Sequence, residues 1–397
     1  MNAKLVFEPE EGLSRLLLRN AFLNLLTLRL YRFWGITNLR RHLWSSLRIE
    51  GDVVEYSGHA HELLRGFLAT FFILTPVYIL ICALRETFRY DALLLTIFAN
   101  ITFFGVIALF AIGQYQNRGY LLSHTLWRGL YAGQDGSSIV YAVRYCLWGF
   151  AFCITAGLSV PWACEDLARY RIQHSFWGGY KGRFAGKAKQ LLLPWLIVWC
   201  VHIGPCFAYL VWVVSDADWN VMAILWEGAD AYGDRILRGQ PYPLEAWVGA
   251  VFAGLSSYAI FSPIWLLWYL RNTSIGPIRF SSTIQSHQVR PRYGKGILVL
   301  CAVFIAVMLA NAFADHDWLY EEFGFRKQTW ILLFVAATAW PFCVFVFMRF
   351  VSVRVWVEVF SHIVIHDIVE ADNAQQALVS RQRAGGGISD AVQVQFV

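Results

Sequence analysis

The sequence predicts an all-α polytopic membrane protein with small cytoplasmic β-hairpins. It holds six transmembrane helices, two marginal segments that either re-enter or span, and an internal tandem repeat. Three observations predict this. The chain is 57% hydrophobic and 15% charged, with mean hydropathy +0.47, whereas soluble domains carry about 25% charged residues. Apolar stretches near the roughly 20 residues that cross a bilayer recur along it. Residues 20–64 also recur, without a gap, at 148–192.

The repeat is carried by paired identities at a shift of 128: Phe22 with Phe150, Thr27 with Thr155, Leu30 with Leu158, Trp34 with Trp162, Leu39 with Leu167 and Arg41 with Arg169. Gly51, Gly58, Ala60, Leu63 and Leu64 meet Gly179, Gly186, Ala188, Leu191 and Leu192. Internal duplication is a common way to build membrane proteins.

Taken in order, residues 1–13 form a polar N-terminal tail without the regions of a cleavable signal peptide. A first membrane repeat covers 14–135. It contains the marginal segment 16–36, interrupted by Arg19, Asn20, Arg29 and Arg32, and the spans 66–84 and 92–113. A second repeat covers 141–295, with the marginal segment 143–163, which holds Gly157 and Pro161, and the spans 191–214 and 246–270. A final helix pair, 296–313 and 330–348, lies within 296–370, and 371–397 is a polar tail that contains a Gly triplet. Trp34, Trp162, Trp247 and Trp330 sit near helix ends, where amphipathic rings favour the headgroup region.

A basic stretch and then a Gly-turned hairpin follow four of the apolar segments: LRIE-GD-VVEYSG, TLW-RG-LYAG, SFW-GG-YKGRFAG and TSI-GP-IRF. Gly at the first central position suits a type II′ turn. Lys and Arg crowd 163–190 and 271–295, while 215–245 and 314–328 are acidic. The positive-inside rule then puts both basic stretches and both termini in the cytoplasm, in a bacterial inner membrane. If the hairpins at 37–65 and 115–143 are also inside, each marginal segment enters and leaves on one face. The rival arrangement has both crossing, with inverted repeats.

The stretches LLTLRLYRFWGITNLRRHLW (25–44), RIEGDVVEYSG (48–58), LSHTLWRGLYAGQDGS (122–137) and PWACEDLARY (161–170) together resemble the YjgN family of bacterial inner-membrane proteins, over nearly the whole chain. The resemblance implies a polytopic bacterial protein without an assigned reaction. It also implies Gly where this chain has Arg29, and a membrane-linked zinc metallopeptidase as a partner.

Candidate sites are few. His202 lies in an apolar helix three residues before Pro205; ionisable groups at membrane depth often serve function, and a Pro frees backbone carbonyls. The plain reading is a neutral His bonded to a neighbouring helix. Arg29, Arg32, Arg41 and Arg169 flank the marginal segments and could bind lipid phosphate or an anionic solute, or simply anchor by snorkelling. Glu165 and Asp166 have the helical spacing to pair with Arg169 and Arg171. The His pairs in HAHE (59–62) and HIVIHD (362–367) lack a full ligand set, so no metal is expected, and HIVIHD also reads as a strand. The eight Cys read as buried thiols without CxxC. There is no P-loop, Rossmann glycine pattern or Gly-x-Ser-x-Gly, so no catalytic residue, cofactor or enzyme activity is expected. The net charge of +6 suits anionic membrane lipids as partners and calls for no nucleic acid.

Two functions follow. One is a transport or channel-like role for a lipid or small amphiphile, with its site where 16–36 and 143–163 meet. The other is a membrane scaffold or regulatory partner whose hairpin edges add a strand from another protein.

Overall fold

The computed structural model describes residues 3–7, 12–87, 92–216, 243–296, 298 and 353–368. The expected spans 296–313 (but for 296 and 298) and 330–348, the acidic stretch 314–328 and the tail 371–397 lie outside them, as does nearly all of 215–245.

The all-α expectation is corrected: the hairpins merge into one eleven-stranded antiparallel sheet. In chain order the strands are β1 (Ala3–Phe7), β2 (Leu47–Ile49), β3 (Asp52–Val53), β4 (Glu55–Tyr56), β5 (Thr125–Trp127) and β6 (Leu130–Gln134). Then come β7 (Ser175–Trp177), β8 (Tyr180–Phe184), β9 (Thr273–Ile275), β10 (Ile278–Ser282) and β11 (Ile363–His366). Their spatial order is β3-β2-β1-β11-β10-β9-β8-β7-β6-β5-β4. Its two end strands are neighbours in sequence, separated only by Val54. That residue is buried, and its N–H donates to the Leu47 carbonyl at 3.1 Å. The sheet therefore closes on itself, with β3 and β4 as one bent strand. An isolated two-stranded hairpin is at best marginal in water, and its open edges seek partners. Closure removes both problems.

Four hairpins follow one another around this ring, and β11 with β1 takes a fifth hairpin position, assembled from distant parts of the chain. The turns are of two kinds. Glu50-Gly51 and Arg128-Gly129 have positive φ at both central residues, the signature of type I′; in the other two only the first central residue, Gly178 or Gly276, has positive φ, as in type II′. Arg128 also ties the first two tips together, 2.7 Å from Asp52 and 2.9 Å from Glu50.

The helices are α1 (Leu13–Leu26), α2 (Arg32–Ser45), α3 (Ala60–Thr87), α4 (Ala92–Ser123), α5 (Ser138–Ile154) and α6 (Val160–Gln173). After them come α7 (Lys189–Val198), a π-helical turn (Trp199–Ile203), α8 (Gly204–Asp216), α9 (Pro243–Arg271), an unlabelled helix over 286–296 and α10 (Val353–Phe360). The six expected transmembrane helices are corrected as well. Among the described residues three helices are long and apolar enough to cross a membrane: Ala60–Leu84, Lys189–Tyr209 and Ala253–Arg271. The first leaves Phe71, Phe72, Ile73, Tyr78, Ile79 and Leu80 exposed, an apolar surface larger than soluble monomers tolerate. Residues 92–113 begin the 32-residue α4.

Neither marginal segment is a single helix. Each breaks at the same place. Thr27 Oγ1 donates to the Leu23 carbonyl at 2.7 Å and accepts from the Tyr31 N–H at 2.9 Å. Thr155 repeats both bonds with Ala151 and Ser159, at 2.8 and 3.1 Å. The next two residues turn left-handed: Leu28 and Arg29 in one copy, Ala156 and Gly157 in the other. The N–H of Arg29 reaches the Asn24 carbonyl, and that of Gly157 the Phe152 carbonyl, each bond ending the first helix. The break thus exists with Arg29 in place of the Gly that the resemblance implies. The α1–α2 unit connects β1 to its neighbour β2, and α5–α6 connects β6 to its neighbour β7. Each unit leaves the ring and returns to it on the same side.

Similar contacts lace the units together. His59 N–H donates to Glu62, Lys187 N–H to Gln190 and Gln285 N–H to Gln288, each a Glu or Gln reaching back three residues to an N–H at the start of its helix, one half of a capping box. The same acceptors take a bond from the helix that precedes the next hairpin: Tyr120 O–H to Glu62 and Trp268 Nε1–H to Gln190, both at 2.6 Å. A Cβ on Gly58 would fall 2.9 Å from the Tyr120 hydroxyl, and one on Gly186 would fall 2.6 Å from the Trp268 ring. This close approach accounts for the paired glycines of the repeat.

Candidate functional site

Closing a sheet turns one face of every strand inward. Leu47 and Ile49 of β2, Thr125 and Trp127 of β5, and Ile278 and Phe280 of β10 are two apart on their strands and line one cavity. Helix ends complete its wall: Trp44 of α2, Leu121 and Leu122 of α4, Trp265 and Leu266 of α9, Trp356 and Val359 of α10. The cavity holds about 670 Å³, within the roughly 300–1,000 Å³ of small-ligand sites.

Its lining is apolar apart from tyrosine hydroxyls, Thr125 and one charge, Arg118, near the end of α4. Arg118 Nη1 donates to Gln134 Oε1 at 2.8 Å, Ser175 Oγ at 2.7 Å and the Arg171 carbonyl at 3.5 Å. That pins α4 to β6, α6 and β7. The Arg171 guanidinium lies 5.9 and 5.7 Å from the ring centres of Trp265 and Tyr269, both cavity-wall residues. Burial opposes its charge, but surrounding tyrosines and Cys164 raise its pKa on balance. Trp127 and Trp177, also in the wall, lie with ring centres 5.1 Å apart, and each indole N–H is buried without a hydrogen-bond partner among the described residues.

Beside the cavity, Glu62 Oε2 accepts from the Tyr120 hydroxyl and lies 3.2 Å from His124 Nε2. Burial first, then Tyr56 and Glu62, push Tyr120 well above the usual phenol range. The cluster joins α3 to α4. Across the barrel, burial also holds Tyr293 up, to about 12.

The expected site residues do not converge. His202 sits in the π-helical turn just before Pro205, half-buried, with Nδ1 turned to the Val198 carbonyl of its own helix at 3.3 Å. Neither His202 nor Pro205 lines the cavity. Arg29 marks the first break. Arg32 is buried, its guanidinium 4.6 Å from the ring centres of both Phe33 and Phe67. Arg41 donates to the Gly58 carbonyl at 2.9 Å, and Arg169 pairs with Glu165. Asp166 pairs across the break with Arg144, at 2.6 Å, and with Trp148, rather than with Arg171. No residue of 16–36 or 143–163 lines the cavity, so the predicted meeting point of these segments is not where it lies. Among the described residues no three His, Cys, Asp or Glu side chains gather as a metal-ligand group.

Arg118, Trp127 and Trp177 are absent from the sequence-derived candidates. Arg118 is one of several arginines that follow an apolar segment, and nothing in its spacing sets it apart. The two tryptophans carry a faint signal, since both stand immediately before a hairpin turn.

The sequence matches the DUF898 family, described as bacterial protein of unknown function, over residues 7–291, and the chain belongs to that family, the YjgN family. No curated protein and no solved structure matches it.

Proposed function

We propose that this member of the DUF898 family is a multi-pass inner-membrane protein that binds a lipid or small amphiphile inside its barrel, as part of a transport or channel-like role. The cavity carries the reading: it is enclosed by strands, apolar and large enough for an acyl chain. The positive-inside rule supports placing the barrel in the cytoplasm, since the basic stretches 163–190 and 271–295 run through it. On this reading the broken units α1–α2 and α5–α6 are re-entrant. Phe22, Leu26 and Leu28 in one, and Leu147, Phe150 and Ile154 in the other, are exposed around the breaks and would face acyl chains. A scaffold that recruits partners by strand addition has less support, because the described strands form a ring without an open edge.

The test is to purify the protein from its native membrane in mild detergent and identify co-purifying lipid by mass spectrometry. Displacement of a fluorescent fatty acid serves as a second readout. Val355→Phe narrows the cavity from α10 and should exclude the ligand. Wild-type protein that carries no lipid and binds no probe would sink the proposal.

A further inference from the structure

We infer that the amphiphile bound in the barrel carries an anionic oxygen headgroup, carboxylate or phosphate, seated at Arg118. This rests on the amphiphile reading above and adds the chemistry of the head.

Arg118 is the one charged side chain in the lining. Among the described residues its guanidinium hydrogen bonds run through Nη1 to neutral acceptors, and no carboxylate pairs with it. A cation in a low-dielectric wall without a counter-ion is unfavourable, and an incoming anion offsets that cost. Ser175, which Arg118 holds, and the cavity-wall residue Trp177 are two residues apart on β7 and share a face of the sheet, which ties Arg118 to the inward face. The Arg171 guanidinium, against Trp265 and Tyr269, adds positive potential behind the site. The remaining wall is apolar, as an alkyl chain requires.

The experiment compares hexadecanoate, hexadecyl phosphate and hexadecanol as displacers of a fluorescent acyl probe from the full-length protein in detergent at pH 8. Wild type should bind the two anions about 10- to 100-fold more tightly than the alcohol, as charge-assisted bonds allow. Arg118→Gln should abolish that preference while keeping alcohol binding. Arg118→Lys should retain part of it. The ratio of phosphate to carboxylate affinity names the head. Equal binding of acid and alcohol by wild type overturns the inference and leaves the amphiphile reading standing; failure of all three to bind removes both. If Arg118→Gln does not fold, Arg118→Met decides, and an unchanged preference there overturns the inference.

Discussion

Gly182 in β8 tests how tightly the ring is locked to its helices. A Cβ there would stand 2.2 Å from the backbone carbonyl oxygen of Ile172 and 3.0 Å from its side chain. Ordinary contact begins near 3.4 Å, so Gly182→Ala must open the joint between α6 and β8 by more than an ångström. The oxygen belongs to backbone at the end of a helix, so no side-chain rotation relieves the clash. Overpacking of this kind costs about 1–3 kcal/mol, a large part of a total stability near 5–15 kcal/mol. Gly294 is the control: it is helical, and a Cβ there meets nothing within 4 Å. Gly294→Ala should gain about 1 kcal/mol from helix propensity alone. The assay is thermal unfolding in detergent followed by tryptophan fluorescence. Gly182→Ala should lower the midpoint by about 2–12 °C, at roughly 2–4 °C per kcal/mol, while Gly294→Ala raises it slightly. Equal midpoints for the two variants would refute the packing of α6 on β8.

Further outcomes are expected. Gly157→Ala, at φ +85 with the Phe152 ring 2.9 Å from its Cβ, should cost about 1 kcal/mol or more, whereas Arg29→Gly at the matching break should be neutral or stabilising; chemical denaturation separates them. Tyr120 keeps its proton when folded well above the ordinary 10.0, and the unfolded chain ionises near 10. Stability should therefore fall as pH rises past about 10, and Tyr120→Phe should flatten that alkaline slope while lowering stability at pH 7 by about 1–2 kcal/mol. Burial raises the Cys164 thiol from 9.0 to about 12. Iodoacetamide at pH 8 should therefore alkylate it far more slowly in the folded protein than in the denatured chain, and equal rates measured by peptide mass spectrometry would contradict its burial.

The repeat was legible because its identities do local work. Thr27 and Thr155 make the same pair of bonds at the same break, and Gly58 and Gly186 admit the same aromatic neighbour. The four hairpins could be read from their Gly turns for the same reason: a turn is decided by two residues. The ring could not. Its closure depends on a bend at Val54 and on β1 meeting β11, and neither leaves a periodic trace. AKLVF at 3–7 sits beside a run of acids and Pro that makes it look like tail, while the HIVIHD stretch does show its strand character through alternating β-branched residues. Of the six expected spans, 66–84, 191–214 and 246–270 coincide with the three long apolar helices, 92–113 opens the longer α4, and the last two lie almost wholly outside the described residues. The cavity was the least legible feature. Its lining comes from seven strands, one or two residues from each, and five helices, one to five residues from each, so no stretch of sequence concentrates it. His202 stood out by chemistry alone, and its Nδ1 turns out to bond within its own helix.

The pairing of β1 with β11 also sets an order of events. During synthesis β1 emerges long before β11, and until β11 arrives β1 has only β2 for a partner and the wall stands open beside β10. This seam is held by two registered pairs, Ala3 with Ile365 and Lys4 with Val364, and no turn joins its strands. Seams between strands from distant parts of a chain form last, because the intervening loop must close first. The container is therefore finished only when the last strand docks.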